Sequence, residues 1–386
     1  MDRLVAIWPA LVLIALVAGI LALNNQSALD PMFRWLPVPL WCYALPMLLT
    51  SVGWLPAQHA VYGWITDRLF PVVLGILLFG VDLRGLSRTG WRAGLAMAVG
   101  TVSIVVGGPL MAWLFRAQLP ADAWKGVGTL AATWTGGSLN MLALRTVLNT
   151  PEPMFAPLVV VDALVAYSWM ACLIACRGWS DPINRWLRAS ALEVEPTIER
   201  RTNSSTAASG LVAMALAGSI ILALICRLVA QRLPRHGLIT TVSGWTVLLI
   251  TTLALAAAYV PAVRRAGQQG GELGYVGLYC VLAALGARAN VIALTSTPVW
   301  ILLGIAWLAF HAVVLLLAGR LFRLPLSLLA TASQANVGGV VSAPAVAAVY
   351  HPSLAPVGLL LALAGNALGT YLGLCTATLC RWLLVR

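Results

Sequence analysis

The chain has 386 residues, of which 61% are hydrophobic and 9% charged, with a mean hydropathy of +0.91 and a net charge of +12. A soluble fold of this size has too little interior to hide that much apolar surface, so the composition excludes a water-soluble globular protein and indicates an all-α polytopic membrane protein. The positive charge lies in short loops, as at Arg84, Arg88 and Arg92, which points to topology and anionic lipid headgroups and not to nucleic acid.

A bilayer core takes roughly 17 to 25 apolar residues per helix. Read in chain order, such runs fall near 4–23, 34–51, 60–80, 93–116, 155–176, 208–230, 239–260, 272–288, 298–319 and 354–380. Two further runs, 121–149 and 324–349, are apolar but interrupted by Gly, Ser, Asn and Pro. The expected architecture therefore has about ten to twelve transmembrane helices. The first run has the basic start and apolar stretch of a signal peptide. Its length, and the lack of a clean small-x-small site after it, favour a retained first span. Trp41, Trp54, Trp91, Trp124, Trp179 and Trp382 stand near span ends, where indole rings anchor at the interface. The seven cysteines lie in or beside apolar runs without metal-ligand spacing and read as packing residues.

The chain repeats itself. LLFGVDLRGL at 77–86 matches LAALGARANV at 282–291, and the next span in each half ends on LFR, at 114–116 and 321–323. TWTGGSLNM at 133–141 then corresponds to SQANVGGVVSAP at 333–344, and VDALVAYSW at 161–169 to GNALGTYLG at 365–373. Pairing Gly80 with Gly286, Phe115 with Phe322, Gly136 with Gly338 and Asp162 with Asn366 gives offsets of 206, 207, 202 and 204, so one register persists through both halves. The expected organisation is a first half at 1–177 with an extra N-terminal span, a polar linker at 178–207, and a second half at 208–386. Twelve full crossings would make the repeats parallel, and an odd number per repeat would invert them. On the twelve-crossing count Arg84, Arg88 and Arg92 fall outside, against the positive-inside rule, so orientation stays open.

Inside hydrocarbon, broken helix survives only where protein or a water-filled cavity surrounds it. A half-helix ending near Trp134 leaves carbonyls unpaired, while one starting near Ser138, a candidate N-cap, presents free N–H groups. Thr135, Gly136, Gly137, Ser138 and Asn140 in the first interruption, and Ser333, Gln334, Asn336, Gly338 and Gly339 in the second, are therefore candidate substrate- or ion-binding residues. Asp162 is the carboxylate placed deep in a predicted span. It reads either as a cation-coupling group or as the partner of Arg145, with Na+ near Asp162 and Asn336 as one option and H+ as the other. His311, alone in LAFHAVVLLL, reads as a hydrogen-bonded structural residue whose chemistry leaves a proton role open. Asp82 and Arg84 read as a local interfacial pair, and the Gly365, Gly369, Gly373 series as a helix-packing face.

TWTGGSLNM with the following VDAL span, and SQANVGGVVSAPAVAA with GNALGTYLG, resemble the YjcL-like family of bacterial integral-membrane proteins over nearly the whole chain. LLGILLFGVDL and TGGS are more distantly similar to the bile acid:sodium symporter and cation:proton antiporter superfamily. That resemblance implies two inverted five-helix repeats, a panel domain from spans near 34–80 and 239–288, and a core domain in which 121–149 and 324–349 cross. It places Asp162 and Asn366 beside the crossing. A single Asp162, in place of the adjacent carboxylates of electrogenic sodium:proton antiporters, departs from that activity.

These readings lead to a secondary transporter of a small solute working by alternating access, with Na+ or H+ as coupling ion and no other cofactor. The alternatives are an intramembrane enzyme, for which a Ser138–His311 dyad would be needed, and a channel or scaffold. No nucleotide-binding G-x-x-x-x-G-K-[ST], zinc H-E-x-x-H or nucleophile G-x-S-x-G motif occurs. The expected setting is the bacterial inner membrane, with a homodimer left open.

Overall fold

The computed structural model describes residues 2–26, 32–33, 38–81, 90–189, 208–235, 239–289 and 297–384, and all regular structure among them is helical. The readings at Asp82, Arg84 and Arg88, and the linker from 190 to 207, lie outside the described residues. Seven of the helices are long and apolar enough to cross a membrane, and an eighth span follows if one bent pair counts as a single crossing. Three shorter apolar helices, Val38–Ser51, Ser138–Leu148 and Gly271–Gly286, account for further runs in the sequence.

The described chain divides into two compact units, each built from both halves of the sequence. The first comprises residues 1–80, 146–164 and 208–300. It holds α1 (Asp2–Asn24), α2 (Val38–Ser51), α3 (Ala60–Phe79), α9 (Ala208–Ala230), α10 (Val242–Ala257), α11 (Pro261–Gln269) and α12 (Gly271–Gly286). In α1, Leu13, Val17 and Ile20 form one buried stripe at helical spacing, and the helix packs on α2 and α12. In α3, a π-helical stretch occupies Ile65–Leu69. The α10–α11 pair bends by 116° at Ala258–Val260, where Pro261 opens the second helix. Close approaches in this unit rest on small residues: a Cβ on Gly80 would stand 3.1 Å from the Gly267 carbonyl carbon, and Ser219 donates to the Val72 carbonyl at 2.6 Å.

The second unit comprises residues 81–145, 165–207 and 301–386. It is built from α4 (Trp91–Leu114), α5 (Ala123–Gly136), α6 (Ser138–Leu148), the later part of α7 (Glu152–Ala175), α8 (Ser180–Leu187), α13 (Thr297–Phe322), α14 (Leu326–Val337), α15 (Gly339–Tyr350) and α16 (Ala355–Leu384). Each half of the chain thus contributes the same order of elements: a long helix, a helix pair broken at glycine, and a second long helix. The segment expected as linker begins with α8, where Asn184 Oδ1 accepts from the Leu326 N–H at 2.8 Å at the start of α14.

The two ends of this unit differ in charge. At the N-terminal end of α4, Arg92 donates to the Arg323 carbonyl at 2.8 Å, and Arg320 donates to the Trp186 carbonyl with its guanidinium 4.9 Å over the Trp186 ring. Arg177, Arg185 and Arg188 lie on the segment from the end of α7 through α8 to the residue after it. Toward the other end, Lys125 and Arg381 approach the Trp124 ring at 5.5 and 5.2 Å. Those two cations cover Trp124, which is 6% exposed and therefore not the open interfacial anchor expected of it. Trp54, Trp91, Trp179 and Trp382 are exposed as expected.

Candidate functional site

Both interruptions lie in the second unit, and each breaks on the second glycine of its pair. Gly137 has φ +78° and Gly339 φ +75°, a region an L side chain enters only with strain. A Cβ on Gly339 would meet the Gly137 Cα at 3.8 Å, so the two breaks face each other with room between them for about one methyl group. The first half-helix runs to Gly136, beyond the Trp134 expected from sequence, and Gly137 N–H closes it on the Thr133 carbonyl at 2.6 Å. Ser138 is not the N-cap: it is the first helical residue, and the Gly137 carbonyl takes the first bonds of α6, from Asn140 and Met141 N–H. A glycine serves here because its backbone turn already aims that carbonyl along the new helix.

The candidate residues fall into three groups. Thr135 spends its hydroxyl inside its own helix, on the Ala131 carbonyl at 2.8 Å, so it stiffens α5 and does not reach into the break. Asn140 and Asn336 act as clamps. Asn140 Nδ2 donates to the Gly136 carbonyl four residues back at 2.7 Å and to the Asn366 carbonyl at 3.1 Å, while Thr370 donates to its Oδ1 at 2.6 Å. Asn336 repeats that arrangement on α4: Nδ2 donates to the Ala332 carbonyl at 3.1 Å and the Met97 carbonyl at 3.5 Å, and Thr101 donates to Oδ1 at 2.8 Å. In both cases the receiving helix offers a Thr hydroxyl and the carbonyl four residues before it, which together match the two edges of one amide.

A glycine precedes each of these threonines. A Cβ on Gly100 would lie 2.5 Å from Asn336 Nδ2, and one on Gly369 would lie 2.8 Å from Asn140 Cγ. Gly-Thr at 100–101 and at 369–370 therefore lines the two sockets, with each Thr four residues after the carbonyl at Met97 or Asn366, and this is what the sequence reading missed. Asn366 takes part through its backbone carbonyl, with its side-chain Oδ1 placed 3.5 Å from where a Gly137 Cβ would be.

Gln334 and Ser342 form the third group, across the second break. Gln334 Nε2 donates to Ser342 Oγ at 2.8 Å, directly over Gly338, where any Cβ would collide with both side chains. Gln334 Oε1 is buried without a hydrogen-bond partner, so one acceptor at this break is unsatisfied.

Ser333 belongs to a separate network around His311, which is fully buried. Ser103 Oγ lies 2.6 Å from both the Gly100 carbonyl and His311 Nδ1, and its single proton can serve only one of them; given to the carbonyl, it leaves Ser103 to accept from a ring N–H. Nε2 is then the bare nitrogen, and the Ser333 hydroxyl, 2.9 Å away, donates to it while accepting from Trp169 Nε1 at 2.9 Å. One directional chain thus runs Trp169, Ser333, His311, Ser103, Gly100 carbonyl through four helices. With both nitrogens engaged, His311 makes no dyad with Ser138.

Asp162 lies on α7 within the first unit, and Arg145 closes the α6 part of the second. Trp307, T-shaped on Trp134 at 5.0 Å, packs over Gly107 and Gly108 and donates to the Ile104 carbonyl at 3.0 Å.

Compared with known protein families, residues 11–383 match the family described as "Protein of unknown function (DUF819)". The chain belongs to the DUF819 family. The uncharacterized membrane protein YjcL of Bacillus subtilis (strain 168) is 26% identical over 371 residues, covering 89% of this chain and 92% of that relative. The match spans both helix breaks, both Gly-Thr sockets and His311, so the whole site lies in DUF819 sequence and not in an appended segment. It also agrees with the YjcL-like resemblance read from the two glycine-pair motifs, and it makes the chain a multi-pass integral membrane protein.

Proposed function

We propose that this DUF819 protein is a secondary transporter that moves a small solute by alternating access, coupled to Na+ or H+ at the two facing helix breaks, and that its two halves are inverted repeats. The observation that carries the reading is the meeting of Gly137 and Gly339 with the unpartnered Gln334 Oε1 beside them. A buried acceptor without a partner costs on the order of 1–3 kcal/mol, a cost that a bound cation or a donor group on a solute would remove. The helix N-termini of α6 and α15 supply N–H groups at the same place, suited to a polar or anionic part of that solute.

Ligand binding stabilises a protein by mass action. Purified protein screened by thermal shift against metabolites, in NaCl or choline chloride at one ionic strength and at two pH values, is expected to show ligands whose stabilisation depends on Na+ or on pH. Gln334→Leu should abolish that response at little cost to the unliganded fold. A full screen without a stabilising ligand in either salt, or hits unchanged in Gln334→Leu, would count against the reading. Asp162→Asn should remove the cation dependence while leaving solute binding measurable, and unchanged Na+ and pH dependence would take Asp162 out of the mechanism.

The arginine-rich end of the second unit is proposed to face the cytoplasm of a bacterial inner membrane, by the positive-inside rule. In a cysteine-free background, Arg188→Cys should react with an impermeant thiol reagent only from inside and Arg116→Cys only from outside. The reverse pattern would invert the topology.

A further inference from the structure

We infer that His311 is a proton-binding site whose occupancy passes through Ser333 to the second helix break. On the transport reading above, this makes H+ the coupling ion. The inference stands on the polarity of the hydrogen-bonded chain. One tautomer gives every donor in it an acceptor, and we assign it on that ground: Trp169 N–H to Ser333, Ser333 O–H to His311 Nε2, His311 Nδ1–H to Ser103, and Ser103 O–H to the Gly100 carbonyl. The ring is therefore held as neutral imidazole with its one lone pair on Nε2.

Adding a proton there changes one group. A hydronium ion from the aqueous phase gives H+ to Nε2 and leaves as water, the nitrogen becomes a donor, and Ser333 must become an acceptor toward it. The Ser333 hydroxyl can accept from both Trp169 and His311, but its own proton then has to turn away, toward the carbonyl four residues back at Leu329. Protonation thus swings the Ser333 hydroxyl about its Cβ. Ser333 precedes Gln334 in α14 and stands three residues before Asn336, so this switch adjoins the groups that span the break and clamp the half-helix to α4.

Among the described residues, no charged side chain stands against the ring. α4 presents Ser103 and the Gly100 carbonyl to the ring, α14 presents Ser333, and α7 presents Trp169, whose ring centre is 6.5 Å from that of His311. The charged groups of these helices are remote in sequence: Arg92 opens α4 and is spent on the Arg323 carbonyl, Arg320 closes α13 and is spent on Trp186, and α14 has none. On α7 the other titratable residues are Glu152, Asp162, Tyr167 and Cys172. Without an anion beside it, a charged imidazole is costly in a dry pocket. Uptake is therefore expected in a conformation that admits water, with the described state holding the site closed and neutral.

The test is solid-state NMR of the full-length protein in lipid, labelled with 15N in His and Trp, from about pH 8 down to about pH 4, reaching below the ordinary imidazole range because a charged ring is costly in a dry pocket. His311 is identified by the signals lost in His311→Gln. At the upper end it should show the neutral tautomer protonated on Nδ1. On acidification the bare-nitrogen signal should disappear and the Trp169 indole signal should shift with it. Ser333→Ala should leave the His311 titration but abolish the Trp169 shift, and this variant keeps the test open if His311→Gln does not fold. An Nε2-protonated neutral tautomer, a ring that never changes state, or a Trp169 shift that survives in Ser333→Ala would each overturn the inference. Because these signals need no solute, the result is independent of the transport reading. A His311 that titrates as described in a protein whose helix break opens to one side only would be a proton site without transport.

Discussion

Gly365→Ala is expected to unfold or severely destabilise the protein, by about 3 kcal/mol or more, the upper part of the range for forcing atoms into a packed core. A Cβ there collides with the Thr135 carbonyl, which belongs to backbone and cannot turn aside. The approach is as close from the other side: a Cβ on Gly136 would lie 2.5 Å from the Gly365 carbonyl oxygen, and one on Gly369 would lie 2.8 Å from the Gly136 Cα. The last long helix and the first broken one therefore touch through bare backbone, as small residues allow in membrane packing.

Two comparisons separate this effect from simple helix preference. Gly137→Ala has room, since the nearest atom is 3.5 Å away, but must hold φ near +78°, so it should cost roughly 1–2 kcal/mol. Gly94→Ala, with open space around it in α4, should be neutral or stabilising by up to about 1 kcal/mol. Unfolding midpoints in detergent should rank Gly365→Ala lowest, then Gly137→Ala, then wild type and Gly94→Ala. A Gly365→Ala protein as stable as Gly94→Ala would mean that α5 and α16 are not so close.

The second large effect is expected at the clamps. Replacing both asparagines, Asn140→Leu with Asn336→Leu, frees each broken helix from the long helix that holds it, and should cost several kcal/mol through lost hydrogen bonds and bulk forced into the Gly-Thr sockets, of order 2 kcal/mol at each site. The diagnostic part is pairwise. Double-mutant cycles of Asn140 with Thr370, and of Asn336 with Thr101, should each return a coupling of about 1 kcal/mol, in the range for hydrogen bonds between membrane helices. The crossed pairs, Asn140 with Thr101 and Asn336 with Thr370, should return none. Equal coupling in all four would contradict the one-to-one pairing.

What could be read from sequence follows the range of the interaction. Apolar runs and glycine pairs are local signals, and they located the spans and both breaks to within a few residues. The positive φ at Gly137 and Gly339 is the backbone form that such a pair permits. The clamps were not legible, although Asn140 and Asn336 were both singled out, because the partners Thr370 and Thr101 lie 230 and 235 residues away. Gly-Thr stands in both socket helices but also at 128–129 in α5, so the dipeptide alone did not mark a socket. His311 looked solitary for the same reason: its partner Ser103 is 208 residues distant. Ser138 failed as a cap because cap preference describes helices that start from extended chain, whereas α6 starts from a glycine turn whose carbonyl already does that work. Thr135, chosen for its position in the motif, proved to bond within its own turn.

The central claim is that the paired breaks form a site opened in turn to the two sides of the membrane. The most direct measurement is thiol accessibility at Val340→Cys, in the first turn of α15, in a cysteine-free protein reconstituted with known orientation. Impermeant reagent should modify it from either side, and lowering the pH or adding a stabilising ligand should raise the rate from one side while lowering it from the other. Modification from one side alone, at a rate indifferent to pH, Na+ and ligand, would contradict the account.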